Sequence, residues 1–189
     1  MLTRPLTDAA LRRVAGAFAV LGDYQGSVPY GNGHINDTLA ATFEQGGAPV
    51  RYILQRINDT VFRSPHALME NVERVTAHLR ACTLALGLPQ PSRRALTLVP
   101  ARSGLAYHVD DEGHLWRCYV FIEGARSWDV LDSPGQAYQG ARAFGVFQRL
   151  LAAWDGPRLH ETIPRFHDTA SRLQALADAI AAATPMLSA

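Results

Sequence analysis

Cysteine is scarce in this chain. The two present, Cys82 and Cys118, lie far apart and form no metal-ligand spacing, so free thiols in a reducing compartment are expected rather than a disulfide framework. An excess of one charge is missing as well: 18 Lys+Arg against 17 Asp+Glu leave a formal net charge of +1. No strong field therefore points to nucleic acid or to an anionic membrane. No apolar run approaches the roughly 18 residues of a membrane span. The N-terminus, MLTRPLTDAALRRVAGAF, mixes acids and bases among apolar residues. It lacks the basic-then-apolar layout of a secretory leader, so a cytoplasmic protein is expected.

What is present suits a folded chain. Hydrophobic residues make up 48% and charged residues 19% of 189, a balance able to bury a core in one domain or two small lobes. Apolar residues at helical spacing (Leu11, Val14, Phe18, Leu21) predict a helix from Asp8 to Leu21, with Thr7 or Asp8 as N-cap and Gly22 ending it. Three strands are expected around Val28–Tyr30, Ile35–Phe43 and Arg51–Ile57, with the turn Gln45–Pro49 between the last two. Ser64-Pro65 opens a long helix whose buried stripe is Leu68, Val72, Val75, Leu79 and Cys82, closed by Gly87-Leu88-Pro89. A strand at Ala95–Val99 follows, then a hairpin of Leu105–Val109 against Leu115–Ile122. After Glu123-Gly124 the chain turns helical, at Ala137–Trp154 and Thr169–Ala183. An antiparallel sheet with one helix, followed by a helical section, predicts an α+β protein of two lobes rather than a βαβ alternation.

The segment Tyr30-Gly31-Asn32-Gly33-His34-Ile35-Asn36-Asp37 carries the first chemical signal. Glycines at a strand-to-strand turn let backbone approach a bound group, and N–H groups there can face phosphates. The same segment also reads as a plain hairpin turn. It is no Walker A loop, since no Gly-Lys-Ser/Thr follows, and no Rossmann fingerprint, since a strand comes next. On the third strand, Arg56 is a cation for nucleotide phosphates, and its neighbour Gln55 competes for the same slot. Glu70 or Glu73 of the long helix is placed to pair with a strand cation, or simply to stay hydrated. The apolar strand ending Phe121-Ile122-Glu123-Gly124 fits a linker on which adenine docks, or a core strand ending in a turn. His160, Glu161 and His167, beside Phe166, fit a polar sugar pocket. They match no zinc spacing, and Asp168 in the same stretch reads best as a helix N-cap.

Taken in order, YGNGHINDT, RYILQRIN, VFRSPHALMENVERVTAHL, WRCYVFIEG, FGVFQRLL and LHETIPRFHDT resemble the N-acetylhexosamine kinase branch of the aminoglycoside and choline phosphotransferase superfamily. The resemblance spans about Ser27 to Thr169. It implies a protein-kinase-like N-lobe over residues 1–118 (antiparallel sheet plus one long helix), a hinge at 119–126, and the first helices of an incomplete, truncated helical C-lobe over 127–189. It implies ATP with magnesium, and phosphoryl transfer to the anomeric hydroxyl of an amino-sugar. By position, Gly31, Asn32, Gly33, His34, Gln55, Arg56, Glu70, Phe121, Ile122 and Glu123 fall to the nucleotide. His34, Asn36, Asp37, His160, Glu161 and His167 fall to the substrate. Gln55 departs from the pattern, because many relatives carry Lys or Arg there. The family's catalytic His-x-Asp with Asn five residues on is not found: His108-Val109-Asp110 is followed by Leu115, and Phe166-His167-Asp168 lacks the Asn. The base and magnesium ligands are therefore expected beyond Ala189, and this chain alone is expected to be inactive. A nucleotide-binding or interaction module, or a non-functional fragment, is the alternative. Exposed apolar positions near Phe144, Phe147 and Leu151 would then favour self-association.

Overall fold

The computed structural model describes residues 6–33 and 35–187. It is an α+β fold, with an open antiparallel sheet of six strands and five helices among the described residues. Helix α1 (Asp8–Gly16) starts as its sequence dictates, with the Thr7 hydroxyl accepting from Ala10 N at 3.2 Å. It stops earlier than the periodicity predicts. Ala19 N donates to Pro100 O and Arg102 N to Ala17 O, and Phe18 bridges to Ala101. Phe18 is fully buried by this pairing, so burying an aromatic against a distant segment ends the helix before its own propensity would. Gly22 serves another purpose than capping. Its φ is +81°, and a Cβ there would strike the Glu44 carbonyl, so only glycine passes this entry to the sheet.

Strands β1 (Asp23–Pro29), β2 (Asp37–Gln45) and β3 (Ala48–Arg56) form the expected meander, although β1 begins well before Val28. The β2–β3 turn is the pair Gly46-Gly47, with φ of 61° and 88°, the double left-handed geometry that a two-residue hairpin favours. Helix α2 (Pro65–Ala85) has Pro65 at its first turn, as predicted, but Ser64 makes no side-chain capping bond. Its fully buried residues are Met69, Leu79 and Thr83, while Leu68, Val72 and Val75 are only partly covered. A one-turn helix α3 (Pro91–Arg94) was not foreseen. Strands β4 (Leu98–Val99), β5 (His108–Val109) and β6 (Leu115–Val120) complete the sheet. Both β4 and β5 are shorter than their apolar runs. The chain between them doubles back through Ala101 N to Leu105 O instead of extending the ladder.

The sheet order is β1-β2-β3-β6-β4, with β5 paired to β6. Alternation along each strand divides the side chains between two faces. One face carries Leu39, Leu54, Trp116 and Cys118 and is packed against Leu11, Val14 and Phe18 of the α1 segment. The other carries Ile57 and Leu115, which meet Leu68 and Met69 of α2. Helix α4 (Pro134–Leu151) begins at the Ser133 cap, a turn before Ala137, and α5 (Thr169–Leu187) follows Asp168, whose carboxylate accepts from Ser171 N at 2.9 Å. No residue of α4 is buried. Among the described residues, no helix is long and apolar enough to cross a membrane.

Candidate functional site

Directly opposed residues in an antiparallel ladder share a face. The register sets Val28 against Ala40, Ala40 against Ile53, and Ile53 against Tyr119. These four make an apolar row across β1, β2, β3 and β6 on the α2 side of the sheet. Val28 at its end is 62% exposed, so the row is open where β1 lies. Two residues along, about 7 Å away, runs a polar row of Thr38, Gln55 and Arg117. The Gln55 amide nitrogen donates to Thr38 Oγ1 at 2.7 Å, and its oxygen accepts from Arg117 Nε and Nη2 at 2.9 and 2.6 Å. A guanidinium only donates, so it is the amide oxygen that faces it.

The glycine turn caps one end of these rows. Tyr30 meets Phe121 edge-to-face with ring centroids 5.1 Å apart, and Asn32 Nδ2 donates to Asp129 Oδ2 at 2.8 Å. Gly31 and Gly33 are exposed between them, and Gly31 has φ +79°. His34 lies outside the described residues. Phe121, Ile122 and Glu123 leave β6 beside this turn. Arg51 spans the Phe121 ring at 3.9 Å and donates from Nε to Glu123 Oε1 at 2.9 Å. That contact raises Arg51's pKa and holds the Glu123 carboxyl below its usual range. Phe121 N donates to Arg51 O, and Glu123 O accepts from Arg93. Of the three linker residues, Ile122 alone has no hydrogen bond to its N–H or C=O among the described residues.

Several candidates fall elsewhere. Gln55 and Arg56 point to opposite faces, and Gln55 is the one on the α2 side. Arg56 is turned to the α1 side and almost fully buried, and its Nη2 pairs with Asp37 Oδ2 at 2.6 Å. Asp37 and Arg56, one assigned to substrate and the other to nucleotide, are thus each other's partner. Together with Trp116, Arg56 lines part of a cavity of about 340 Å³ beneath α1, bordered by Asp110 and Asp111. Burial acts to raise Asp110's pKa, but bonds from the Trp116 indole and the backbone N–H groups of His114 and Glu112 outweigh it and hold the carboxyl low. Asn36 Oδ1 accepts from Asn58 N at 2.9 Å, anchoring the start of β2 to the end of β3.

Glu70 is not brought to a strand cation. It pairs with Arg74 at 3.2 Å and with His160 Nε2 at 2.7 Å, and the His160 bond is the main reason its carboxyl sits below the ordinary value of 4.5. Asn71 grips the His160 backbone in both directions, at 2.8 and 2.9 Å. Glu70 of α2 and His160 therefore meet, at a cavity of about 330 Å³ that Tyr107 also lines. Glu161 accepts from Arg165 N at 3.0 Å and His167 rests edge-on against Phe166. Among the described residues no three His, Cys, Asp or Glu side chains converge as a metal site.

Arg117 escaped the sequence reading. Its signal was there: a cation within the apolar strand Leu-Trp-Arg-Cys-Tyr-Val of a chain whose 18 Lys+Arg residues are all arginine. No family model matches this chain.

Proposed function

We propose that the α2 face of the sheet holds a nucleotide, and that the chain is the nucleotide-binding part of an ATP-dependent small-molecule phosphotransferase. The observation that carries this reading is the juxtaposition of three features on one side of the sheet. They are the apolar row Val28–Ala40–Ile53, exposed at its Val28 end, the glycine turn over it, and the linker at Ile122, whose backbone groups make no hydrogen bond among the described residues. A flat heteroaromatic ring needs an apolar ceiling and one or two backbone hydrogen bonds at its edge. A phosphate chain needs approachable N–H groups and a cation nearby. The resemblance to amino-sugar kinases points the same way and implies transfer to the anomeric hydroxyl of an N-acetylhexosamine, with magnesium as the metal and the cytoplasm as the compartment. The sequence has no His-x-Asp followed by Asn five residues on. The chemistry supported by these residues is therefore holding and orienting ATP, not abstracting the acceptor proton.

Titration calorimetry with ATP-magnesium and with N-acetylglucosamine tests this reading. Binding of ATP with negligible ADP release in a coupled assay is the expected result. Absence of ATP binding would overturn it.

A further inference from the structure

We propose that Arg117, aimed by Gln55, is the cation of a polyphosphate-binding site on this sheet, so that the positive charge is supplied from β6 and not from β3. The proposal rests on the nucleotide reading above and names the group that meets the phosphates.

Three arginines lie in the strands. Arg51 is paired with Glu123 and Arg56 with Asp37. Arg117 has no carboxylate partner among the described residues; its only hydrogen-bond partner there is the neutral amide of Gln55. Arg117 is only partly exposed, and burial lowers its pKa from the ordinary value. A guanidinium stays charged in proteins, so a half-buried one without a counter-ion carries an uncompensated desolvation cost. An anion bound to it would offset that cost.

The geometry suits a phosphate. Nε and Nη2 both converge on the single Gln55 oxygen, leaving the Nη1 side of the fork without a protein partner among the described residues. Gln55 is itself tied to Thr38, and the guanidinium carbon lies 5.1 Å from the Tyr119 ring. A plane fixed at two points presents its remaining donors in one direction, which is what bidentate recognition of phosphate oxygens requires. A lysine opposite Arg117 would set two cations side by side, so glutamine at position 55 follows from arginine at 117. The chain has no lysine anywhere.

The test is calorimetry at low salt with sodium tripolyphosphate and, separately, ATP-magnesium. The proteins are the native chain, Arg117→Gln, the swap Gln55→Lys/Arg117→Gln, and Arg142→Gln on exposed α4 as a control for net charge. Loss of a charge-assisted bond predicts binding about ten- to a hundredfold weaker for both ligands in Arg117→Gln. The swap should recover most of it, and Arg142→Gln should bind like the native chain. Equal binding of ATP by the native chain and Arg117→Gln would overturn the proposal and leave the nucleotide reading standing. Tripolyphosphate binding that depends on Arg117, with no gain for ATP over tripolyphosphate, would keep the anion site and remove the nucleotide. No binding of either ligand by the native chain would overturn both. A purely structural Arg117 would lower thermal stability in Arg117→Gln without a ligand-specific loss, and the swap would not restore binding.

Discussion

The strands with α1 and α2 are built on different terms from the section that follows the linker. In the first, two apolar clusters sandwich the sheet, and Phe18, Leu54, Trp116 and Cys118 are wholly enclosed. In the second, Tyr138, Phe144, Leu173 and Leu176 are each more than half exposed, and α4 buries nothing. What fastens the second to the first is a small set of hydrogen bonds, with the Trp154 ring set edge-on against His78 and under Arg74. His78 meets Leu150 O at 2.9 Å, Asn71 grips His160, and Arg74 reaches Pro157 O. Apolar burial is non-directional and adds up over area, whereas a few hydrogen bonds with water as competitor add about 1 kcal/mol each. The difference teaches that the sheet region carries the stability while the helical section is positioned by a small number of replaceable contacts.

The sharpest way to break that contrast is a pair of truncations. Trp116→Ala removes a fully buried indole and its bond to Asp110 at 2.8 Å, and should cost about 3–5 kcal/mol in urea unfolding. Phe144→Ala, at a ring 62% exposed, should change stability by less than about 0.5 kcal/mol. Equal losses would mean the two regions share one core. Gly22→Ala comes next. Its left-handed φ and the Glu44 carbonyl behind it predict a loss of about 1–3 kcal/mol, against a smaller loss for Gly46→Ala, where a Cβ meets nothing within 4 Å.

A third comparison sets two arginines of the sheet against each other. Arg56→Met strands Asp37, a third exposed, and should cost about 1–2 kcal/mol once solvent screening is allowed for. Arg117→Met strands no acid and should be neutral or stabilising in the absence of anions. The reverse order in thermal unfolding would refute the assignment of partners.

Smaller effects separate the polar fastening from the core. Glu70's carboxyl is held low by His160, so its share of the α2 contact is complete above the ordinary value of 4.5 and is lost as pH falls through the lowered value. Amides around Leu159–Glu161 should therefore lose hydrogen-exchange protection, relative to the intrinsic rate at each pH, before the β6 amides do as pH falls, and Glu70→Gln should abolish that difference. Thiol labelling probes the same contrast at no energetic cost. Burial pushes Cys118 up to about 12, so a native sample should react at Cys82 only and an unfolded one at both.

Much of the sheet was legible because its signals are local. Alternation in Arg51–Arg56, the Gly46-Gly47 turn and the Ser64-Pro65 start each specify backbone through neighbours a few residues away. Where α1 ends and whom Glu70 pairs with were decided by partners some 80 to 90 positions distant, Pro100 to Arg102 for the first and His160 for the second, while β4 and β5 are cut short where the chain between them doubles back through Ala101 N to Leu105 O. At the candidate site, the glycine turn and the linker were readable as segments, but Arg117 was not. A single arginine inside an apolar strand carries no label until the strand opposite it is known.

From the order of residues alone come the α+β character, the meander, the long helix and the opposition of Gln55 to Arg56 across a strand, because period-2 alternation is intrinsic to extended chain. Tertiary structure alone decided which of those two faces α2, and that Arg117 lies against Gln55 while Asp37 lies against Arg56. Strand register is a property of pairs of segments, and no single segment contains it.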